Sequence, residues 1–328
     1  MKAKKRILSG MRPTGKLHLV HLVGALNNWV RLQEEYSCFY MVADWHALMS
    51  EYEDTKGMRE NSYEMVKDFI AAGLDPDKSV IFVQSHVPEH LELAMVFSDI
   101  TPLGWVERCP TYKEQLREIT GRDLTTYGFL GYPVLQAADI AVYRAGAVPV
   151  GVDQLPHLEL TREIVRRFNG LYGKAVFPEP EPLLTKMPKL LGLDNRKMSK
   201  SYGNFISLSD RPEEITKKVS QMITDAERVK LADKGHPDVC NVFSYYSIFA
   251  SAGKASDVRG FCEGAKAGCT ECKKNLAGIL SEQLEPIRKK RERLSDGDVR
   301  DILKEGAVKA RAAASETMAE VRSLIHFA

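Results

Sequence analysis

Short runs of β-branched and aromatic residues alternate with helical patterns in the first half of this chain. The runs cover residues 6–9, 38–42, 80–83 and 147–150. An amphipathic helix is predicted between the first two runs, because apolar residues recur there at three- and four-residue spacing: Leu22, Leu26, Trp29 and Val30. A second such helix is predicted over residues 61–72. This alternation predicts an α/β fold in which crossover helices connect the strands of a parallel sheet.

The strand patterns fade after about residue 205, and helical patterns follow over residues 213–224, 273–294 and 298–325. We therefore expect an α/β domain over residues 1–204 and a mostly helical domain over residues 205–328. The pattern leaves open whether the last helix packs back on the first domain. No repeat or low-complexity linker marks the boundary.

Charge and composition exclude several classes of protein. The 328 residues carry a net charge of +2, which argues against a polycationic nucleic-acid-binding protein but allows a local basic patch that contacts phosphates. Only two apolar residues follow the basic start before Ser9, so neither a signal peptide nor a membrane span is expected. We expect a cytoplasmic protein.

A first motif, Met-Arg-Pro-Thr-Gly-Lys-Leu-His-Leu-Val-His, occupies residues 11–21, between the first strand and its helix. In an open α/β sheet, a nucleotide binds at this junction with its phosphates facing the helix start. Gly10, Pro13 and Gly15 suit tight turns. His18 and His21 can face one side and donate to phosphate oxygens. A bare His-x-x-His is about as often a pair of ordinary histidines.

A second motif, Arg-Lys-Met-Ser-Lys-Ser-Tyr-Gly-Asn, occupies residues 196–204. Two lysines on a mobile loop can close over a triphosphate and neutralise the charge that develops on pyrophosphate. A random Lys-x-x-Lys more often lies on a solvated loop.

Together, the two motifs, about 180 residues apart, resemble those of class I aminoacyl-tRNA synthetases of the tryptophanyl/tyrosyl branch. Residues 42–48 (Val-Ala-Asp-Trp-His-Ala-Leu), 131–140 and 150–162 resemble the tryptophanyl members in particular. The resemblance implies a Rossmann-like, doubly wound parallel sheet with a C-terminal helical anticodon-binding domain. It also implies a homodimer and the partners ATP, L-tryptophan and tRNA(Trp).

The resemblance assigns the phosphate chemistry to both motifs. It implies that His18 and His21 hold the phosphates, that Lys197 and Lys200 stabilise the leaving pyrophosphate, and that Mg²⁺ accompanies ATP. The amino acid is then expected to pass to the 2′-hydroxyl of the terminal ribose. The residues expected around ATP are Arg12, Thr14, Gly15, Val20, Gly151, Asp153, Met198, Ser199 and Ser201.

Selection of tryptophan requires a buried acceptor, because an indole N–H only donates. By resemblance Asp139 is this acceptor, and its apolar neighbours favour a buried position over a helix N-cap or a solvated acid. The same match implies that Tyr132, Gln136 and Gln154 hold the α-amino and carboxylate groups and that His46 lines the indole pocket.

Two positions depart from the family pattern. Val20 replaces the glycine on which adenine lies in relatives, so its β-branched side chain projects into that space. We expect ATP binding that is weaker but retained, with lost adenylation as the alternative. Arg12 replaces a glutamine, and its charge suits phosphate contact.

Four cysteines form a C-x21-C-x6-C-x2-C array: Cys240, Cys262, Cys269 and Cys272. The array fits a tetrathiolate site for zinc or a [4Fe–4S] cluster, with chance spacing as the alternative. A subset of tryptophanyl enzymes has a similar array with [4Fe–4S], which we therefore expect here. The basic run at residues 288–293 suits either a tRNA backbone or a solvated helix face.

Two other hypotheses remain: a tyrosyl enzyme, and a non-catalytic paralogue that binds tRNA or tryptophan. Asp139 argues against the first, and the intact Lys-Met-Ser-Lys-Ser loop argues against the second. The stretch around Trp105, Tyr112 and Phe129 is apolar enough to contribute to a dimer interface or to fill the core.

Overall fold

One parallel sheet organises the first part of the chain. The computed structural model describes residues 4–110, 112–113, 116, 123–184, 190–200 and 202–327. Its strands are β1 (Arg6–Met11), β2 (Ser37–Val42), β3 (Ser79–Val83), β4 (Ala147–Val150) and β5 (Glu181–Leu184). They lie in the order β3-β2-β1-β4-β5, and every pairing is parallel. From the central strand β1 the chain continues to β2 and β3 on one side of the sheet and then crosses to β4 and β5 on the other side. The strand order therefore reverses at β1.

Helices cover both the connections of the sheet and the C-terminal part. Between β1 and β4 they are α1 (Leu19–His21), a π-helix (Leu22–Leu26), α2 (Asn27–Leu32), α3 (Asp44–Glu51), α4 (Met58–Ala72), α5 (Glu89–Ile100), α6 (Leu103–Glu107) and α7 (Tyr127–Val142). After β4 they are α8 (Leu155–Leu171), α9 (Pro212–Ser220), α10 (Asn241–Phe249), α11 (Ala252–Glu263), α12 (Cys269–Glu292) and α13 (Asp296–Leu324). Short 3₁₀ turns cover Gln84–His86, Val152–Gln154 and Pro237–Val239.

The parallel α/β sheet with a helical C-terminal part confirms the predicted fold class. Helices Asn241–Phe249 and Ala252–Glu263 lie between the helical segments that the sequence predicts. Strand β5 and the first helix also differ from the sequence prediction. Strand β5 was not predicted, because Glu181 and Pro182 give it no alternating apolar pattern, and its edge position tolerates a proline. The first amphipathic helix contains a π turn at Leu22–Leu26, a feature that periodicity alone does not reveal.

The apolar core is continuous between the sheet and the helices that follow it. A single cluster of buried side chains joins Ile7 and Tyr40 of the sheet to Tyr246 of α10 and Leu280 of α12. The last helix, α13, lies directly on β3. In the described ranges, no helix has the length and apolarity needed to cross a membrane.

Gly306 permits the close contact between α13 and β3. A Cβ atom at this position would lie 1.8 Å from the carbonyl oxygen of Ile81, which is backbone and cannot rotate away. Helix α13 therefore approaches the strand as closely as it does because residue 306 has no side chain.

We predict that Gly306→Ala lowers the free energy of unfolding by about 3 kcal/mol, at the upper end of ordinary overpacking costs. The matched control is Gly278→Ala in α12, where the added Cβ meets nothing within 4 Å. Higher helix propensity should make that variant about 0.5–1 kcal/mol more stable. Thermal unfolding followed by circular dichroism compares the two. A Gly306→Ala melting temperature equal to that of Gly278→Ala would contradict this account of the contact.

Candidate active site

A cavity of about 330 Å³ opens at the carboxyl ends of β1 and β4, where the strand order reverses. Open α/β sheets bind ligands at this position. Its walls come from β1, β4, α3 and α7, and they include all five residues predicted to bind the amino acid: His46, Tyr132, Gln136, Asp139 and Gln154. Of the residues predicted around ATP, Arg12 and Gly151 also line the cavity.

Asp139 lies at the bottom of this cavity and is fully buried within α7. Its Oδ1 accepts hydrogen bonds from Gln84 Nε2 at 2.8 Å and from His90 Nδ1 at 2.6 Å. Its Oδ2 lies 2.7 Å from His46 Nε2. Burial would raise the pKa of Asp139, but the hydrogen bonds from His46 and His90 outweigh it and lower the pKa to about 2. The carboxylate therefore stays ionised and can accept a donor from a ligand.

A second series of hydrogen bonds connects three other residues that line the cavity. Tyr132 Oη lies 2.8 Å from His157 Nε2, and His157 Nδ1 lies 3.0 Å from Gln154 Oε1. Burial, with a smaller contribution from His46, lowers the pKa of His157 to about 4, so the ring is neutral. A neutral ring with Nδ1–H donating to Gln154 accepts from the Tyr132 hydroxyl through Nε2. These hydrogen bonds hold Tyr132 and Gln154, both predicted to bind the amino acid, in fixed positions relative to each other.

The two predicted histidines lie side by side at the start of α1. Their ring centroids are 3.9 Å apart, and the backbone N–H of His18 donates to His21 Nδ1 at 3.1 Å. Burial, with a smaller effect of the Lys200 charge, lowers the pKa of His18 to about 4. The pKa of His21 also lies well below its ordinary value, mainly because of burial. Both rings are therefore neutral, and His18 Nδ1 is buried with no hydrogen-bond partner among the residues that the structure describes.

The fold brings the lysine loop to the histidine motif. Leu19 N–H donates to Ile206 O at 3.2 Å, and Leu208 N–H donates to Leu17 O at 3.0 Å, so the chain after the loop pairs with the histidine segment. Lys200 Nζ donates to Gly15 O at 2.9 Å and lies 3.3 Å from Thr14 Oγ1. Burial, followed by the charge of Arg12, lowers the pKa of Lys200 to about 8.

The Asn204 side chain forms hydrogen bonds that hold the lysine loop in place. Its amide accepts from Ser199 N–H at 2.9 Å and donates to Asp194 Oδ1 at 2.7 Å and to Lys197 O at 3.2 Å. Met198 is buried in the main core, whereas Lys197 is exposed. Ser201 lies outside the described residues.

The remaining predicted ATP residues surround the same edge of the sheet. Arg12 Nη1 donates to Ser50 Oγ at 3.4 Å, and Gly15 adopts a φ of +121°, which glycine tolerates without strain. Asp153 folds against Gly151, where a Cβ atom would lie 2.5 Å from its Oδ1. Val20 is partly buried and packs against the main core. The four predicted phosphate-binding residues, His18, His21, Lys197 and Lys200, do not line the 330 Å³ cavity.

Four residues of the site were not predicted: Gln84, His90, His157 and Asn204. His157 follows Gln154 at helical spacing, so the sequence contained a signal for it. Gln84 and His90 reach Asp139 from different elements, and only the tertiary fold reveals this contact.

The four cysteines of the array line one cavity of about 220 Å³ between α10, α11 and α12. Burial raises the pKa of Cys272 to about 11, and the neighbouring cysteines add to this rise. Thiolates there would need a cation to stabilise them. Among the residues with described positions, no three His, Cys, Asp or Glu side chains are grouped closely enough to hold a metal ion.

Comparison with known proteins agrees with this geometry. The family model for tRNA synthetases class I (W and Y) matches residues 1–285. The chain is 52% identical to the tryptophan–tRNA ligase of Thermotoga maritima over 97% of its own length and 98% of that protein. It is 43% identical to the same ligase of Aquifex aeolicus, with 98% and 99% covered.

Solved structures give the same result. The tryptophanyl-tRNA synthetase of Campylobacter jejuni, determined with ADP and tryptophan, is similar at a TM-score of 0.89 and 32% identity, covering 98% of this chain and all of that one. That of Mycoplasma pneumoniae is similar at a TM-score of 0.81 and 29% identity, covering 99% and 98% of the two chains. With the sheet, the two motifs and their contacts already described, these matches establish that the chain belongs to the class I tRNA synthetases of the W and Y family.

Proposed function

We propose that this chain activates L-tryptophan with ATP and transfers it to the 2′-hydroxyl of the terminal ribose of tRNA(Trp). The observation that carries the proposal is the ionised, buried Asp139 at the bottom of the cavity, which offers an acceptor to an indole N–H. Full-length relatives named tryptophan–tRNA ligase support the same substrate.

The first step needs positioning and electrostatics rather than a general base, because the tryptophan carboxylate is already ionised. One carboxylate oxygen attacks the α-phosphorus of ATP, the bond to the bridging oxygen breaks, and pyrophosphate leaves. His18 and His21 act as neutral N–H donors to phosphate oxygens. Lys197 and Lys200 neutralise the charge on pyrophosphate, and ATP enters with Mg²⁺ as part of the substrate complex.

The two hydrogen-bonded networks of side chains in the cavity select the amino acid. Asp139 accepts the indole N–H, and His46 lines the indole pocket beside it. Tyr132, Gln136 and Gln154 hold the α-amino and carboxylate groups, with Tyr132 and Gln154 oriented through His157. In the second step the ribose hydroxyl oxygen attacks the carbonyl carbon, loses its proton, and displaces AMP.

Amino-acid-dependent exchange between ATP and labelled pyrophosphate tests this proposal. Tryptophan alone should support exchange. Exchange with tyrosine instead would favour a tyrosyl enzyme, and absence of exchange with either amino acid would favour the non-catalytic paralogue.

Val20 gives a separate prediction about ATP. We infer from the family resemblance that Val20 replaces a glycine, so Val20→Gly should open space for adenine and lower the KM for ATP several-fold, by about 1 kcal/mol of binding. The KM for tryptophan should not change. Ala25→Gly, in the π-helix that directly follows α1, controls for added backbone freedom. A higher KM for ATP in Val20→Gly would show that valine has become part of the adenine site.

We also propose that the four-cysteine cavity holds a [4Fe–4S] cluster. The donor set fits, because four thiols line one space, and burial raises the pKa of two of them, Cys262 and Cys272. Each iron takes one cysteine sulfur, so such a cluster suits thiols spread around a cavity better than a single zinc ion does. The ligands would be Cys240, Cys262, Cys269 and Cys272, and the cluster would supply structural crosslinking of loops near the anticodon.

The absorption spectrum and the iron, sulfide and zinc contents of anaerobically purified protein test the cluster. We expect a brown protein with iron and sulfide in equal amounts, and loss of colour in Cys272→Ala but not in Cys109→Ala. A colourless protein with one zinc ion would refute the cluster.

Two further proposals concern the assembly of the protein and its domains. We propose a homodimer that buries the exposed apolar side chains Met95 and Leu103, since exposed apolar patches mark interfaces. Phe129 fills the core beside Tyr132.

We assign residues 1–204 to the catalytic domain and residues 205–328 to the anticodon-binding domain. Helix α13 of the second domain packs back on the first. We place the reaction in the cytoplasm.

A further inference from the structure

The three donors to Asp139 divide unequally between its two carboxylate oxygens. Oδ1 accepts from Gln84 Nε2 at 2.8 Å and from His90 Nδ1 at 2.6 Å, whereas Oδ2 accepts from His46 Nε2 at 2.7 Å. Each carboxylate oxygen has two lone pairs that can accept hydrogen bonds. Among the contacts that the structure describes, both lone pairs of Oδ1 are therefore occupied, and Oδ2 keeps one open.

The same division separates the interior of the protein from the cavity. His46 lines the cavity, whereas Gln84 and His90 are fully buried and are not among its lining residues. The open lone pair thus belongs to the oxygen that is bonded to the cavity-lining donor. A ligand N–H that enters the cavity can be accepted by Oδ2 and not by Oδ1.

His90 is held by contacts that do not involve the cavity. Its Nε2 lies 2.8 Å from the Tyr143 hydroxyl oxygen, and its ring packs against that of Phe82 in β3, with 6.0 Å between the centroids. Tyr143 is also fully buried, and its ring stacks on that of Phe39 in β2 at 4.5 Å. Two strands of the sheet therefore fix both rings relative to Asp139.

The Tyr143 hydroxyl determines which nitrogen of His90 carries the proton. Burial raises the pKa of Tyr143 well above its ordinary value, so the hydroxyl keeps its proton and can donate. A neutral imidazole that accepts this proton donor through Nε2 carries its own proton on Nδ1, the nitrogen that faces Asp139. Tyr143 thus orients His90 as a donor to Oδ1.

We propose that His90, oriented by Tyr143, is a positioning residue that occupies Oδ1 of Asp139 and so directs Oδ2 toward the indole N–H of tryptophan. The proposal rests on the proposed function, because it takes tryptophan as the ligand of the cavity. It deepens that function by assigning the acceptor atom and the buried residues that present it. Without His90, Oδ1 would have an open lone pair, and the carboxylate could turn and pair with His46 through either oxygen.

Pyrophosphate exchange with two amino acids tests the proposal. They are tryptophan and benzothienylalanine, its analogue in which sulfur replaces the indole N–H. The analogue has nearly the shape of tryptophan but no donor, so the ratio of the two kcat/KM values measures the contact with Oδ2. A fold defect lowers both values and leaves their ratio unchanged.

His90→Leu should lower kcat/KM for tryptophan about thirtyfold, as for loss of a hydrogen bond to a charged group, and should change kcat/KM for the analogue less than about threefold. The ratio should therefore fall about tenfold. His90→Asn should recover most of the ratio, because its side-chain amide offers an N–H near the position of Nδ1. Tyr143→Phe should lower the ratio about threefold, since the imidazole can then exchange its tautomers.

Tyr40→Phe is the matched control. Tyr40 is also fully buried, and its hydroxyl donates to Trp29 O at 3.0 Å. It lies in a different cluster of the apolar core from Tyr143. Its ratio should equal that of the unmodified protein, although loss of the buried hydrogen bond should lower its melting temperature. Tyr143→Phe, which removes a single oxygen atom, decides the question if His90→Leu does not fold.

The outcomes separate this proposal from the proposed function. Ratios in His90→Leu and Tyr143→Phe equal to that of the unmodified protein would overturn the proposal and leave the indole acceptor in place. A ratio near one in the unmodified protein would show that the indole N–H is not recognised at all, and the proposal would fall with the acceptor. If the unmodified protein shows no exchange, the proposed function fails first. The ratio of the dissociation constants of tryptophan and the analogue, measured by calorimetry on the same variants, then decides the role of His90.

Discussion

Asp139→Asn is expected to reduce kcat/KM for tryptophan by roughly a thousandfold in pyrophosphate exchange, because sites built around a substrate N–H discriminate by factors of this order or more. The side-chain amide would place an NH₂ group against one of the three donors that now converge on the carboxylate, from His46, Gln84 and His90. It would also remove the charge that an indole N–H is proposed to meet. The loss should appear mainly in kcat/KM for tryptophan and not in the KM for ATP.

The control for this variant is Asp257→Asn, the same change at an exposed position of α11. Circular dichroism should show that both variants fold, since asparagine matches aspartate in volume. A folded Asp139→Asn protein with less than a tenfold loss would remove Asp139 from the indole site.

Lys200→Met should lower kcat by roughly 10²–10³-fold, the range seen when one donor to a developing charge is removed. The ammonium group is half-buried and already lies beside Thr14 and Gly15, the turn that leads into the histidine motif. Methionine keeps most of the side-chain volume and removes the charge together with the contacts of the ammonium group to Thr14 and Gly15. Binding of tryptophan in the absence of ATP should be unaffected.

The pH profile separates a catalytic lysine from a structural one. Because the pKa of Lys200 is lowered to about 8, kcat/KM for ATP should decrease as the pH rises through 8 and the ammonium group loses its proton. This decrease should be absent in Lys200→Met and retained in Lys16→Met, an exposed lysine on the neighbouring turn. An alkaline decrease retained in Lys200→Met would assign that titration to another group.

The alternation of strands β1 to β4 with helices could be predicted from the sequence because it depends on local periodicity. Strands β1 to β4 each form a short apolar run, whereas β5 contains Glu181 and Pro182 and depends on its pairing with β4 for its existence. The π turn at Leu22–Leu26 contains one residue more than an α-helical turn, and this extra residue does not change which side chains are apolar. Local patterns therefore identify the buried elements and miss the edge strand and the helical irregularity.

The site could be predicted where a motif is contiguous and not where distant elements converge. His18, His21, Lys197 and Lys200 stand in two short strings, and Asp139 lies in an apolar helix that implied its burial. His90 reaches Asp139 across the interior from α5, and nothing in its neighbourhood along the chain indicates this contact. The basic run at residues 288–293 gives a second example: it suggests a solvent-facing or RNA-facing surface, whereas Arg288 donates to Asp210 O and Arg291 pairs with Glu64 of α4.

The most direct test of the account is charging of tRNA by the purified chain. Incubation with ATP, Mg²⁺, total tRNA and each of labelled tryptophan and labelled tyrosine should give acid-precipitable label with tryptophan alone. A tRNA(Trp) transcript ending in 2′-deoxyadenosine should accept no tryptophan, whereas one ending in 3′-deoxyadenosine should be charged. Label transferred from tyrosine, or no transfer from tryptophan by a chain that folds and binds ATP, would contradict the account.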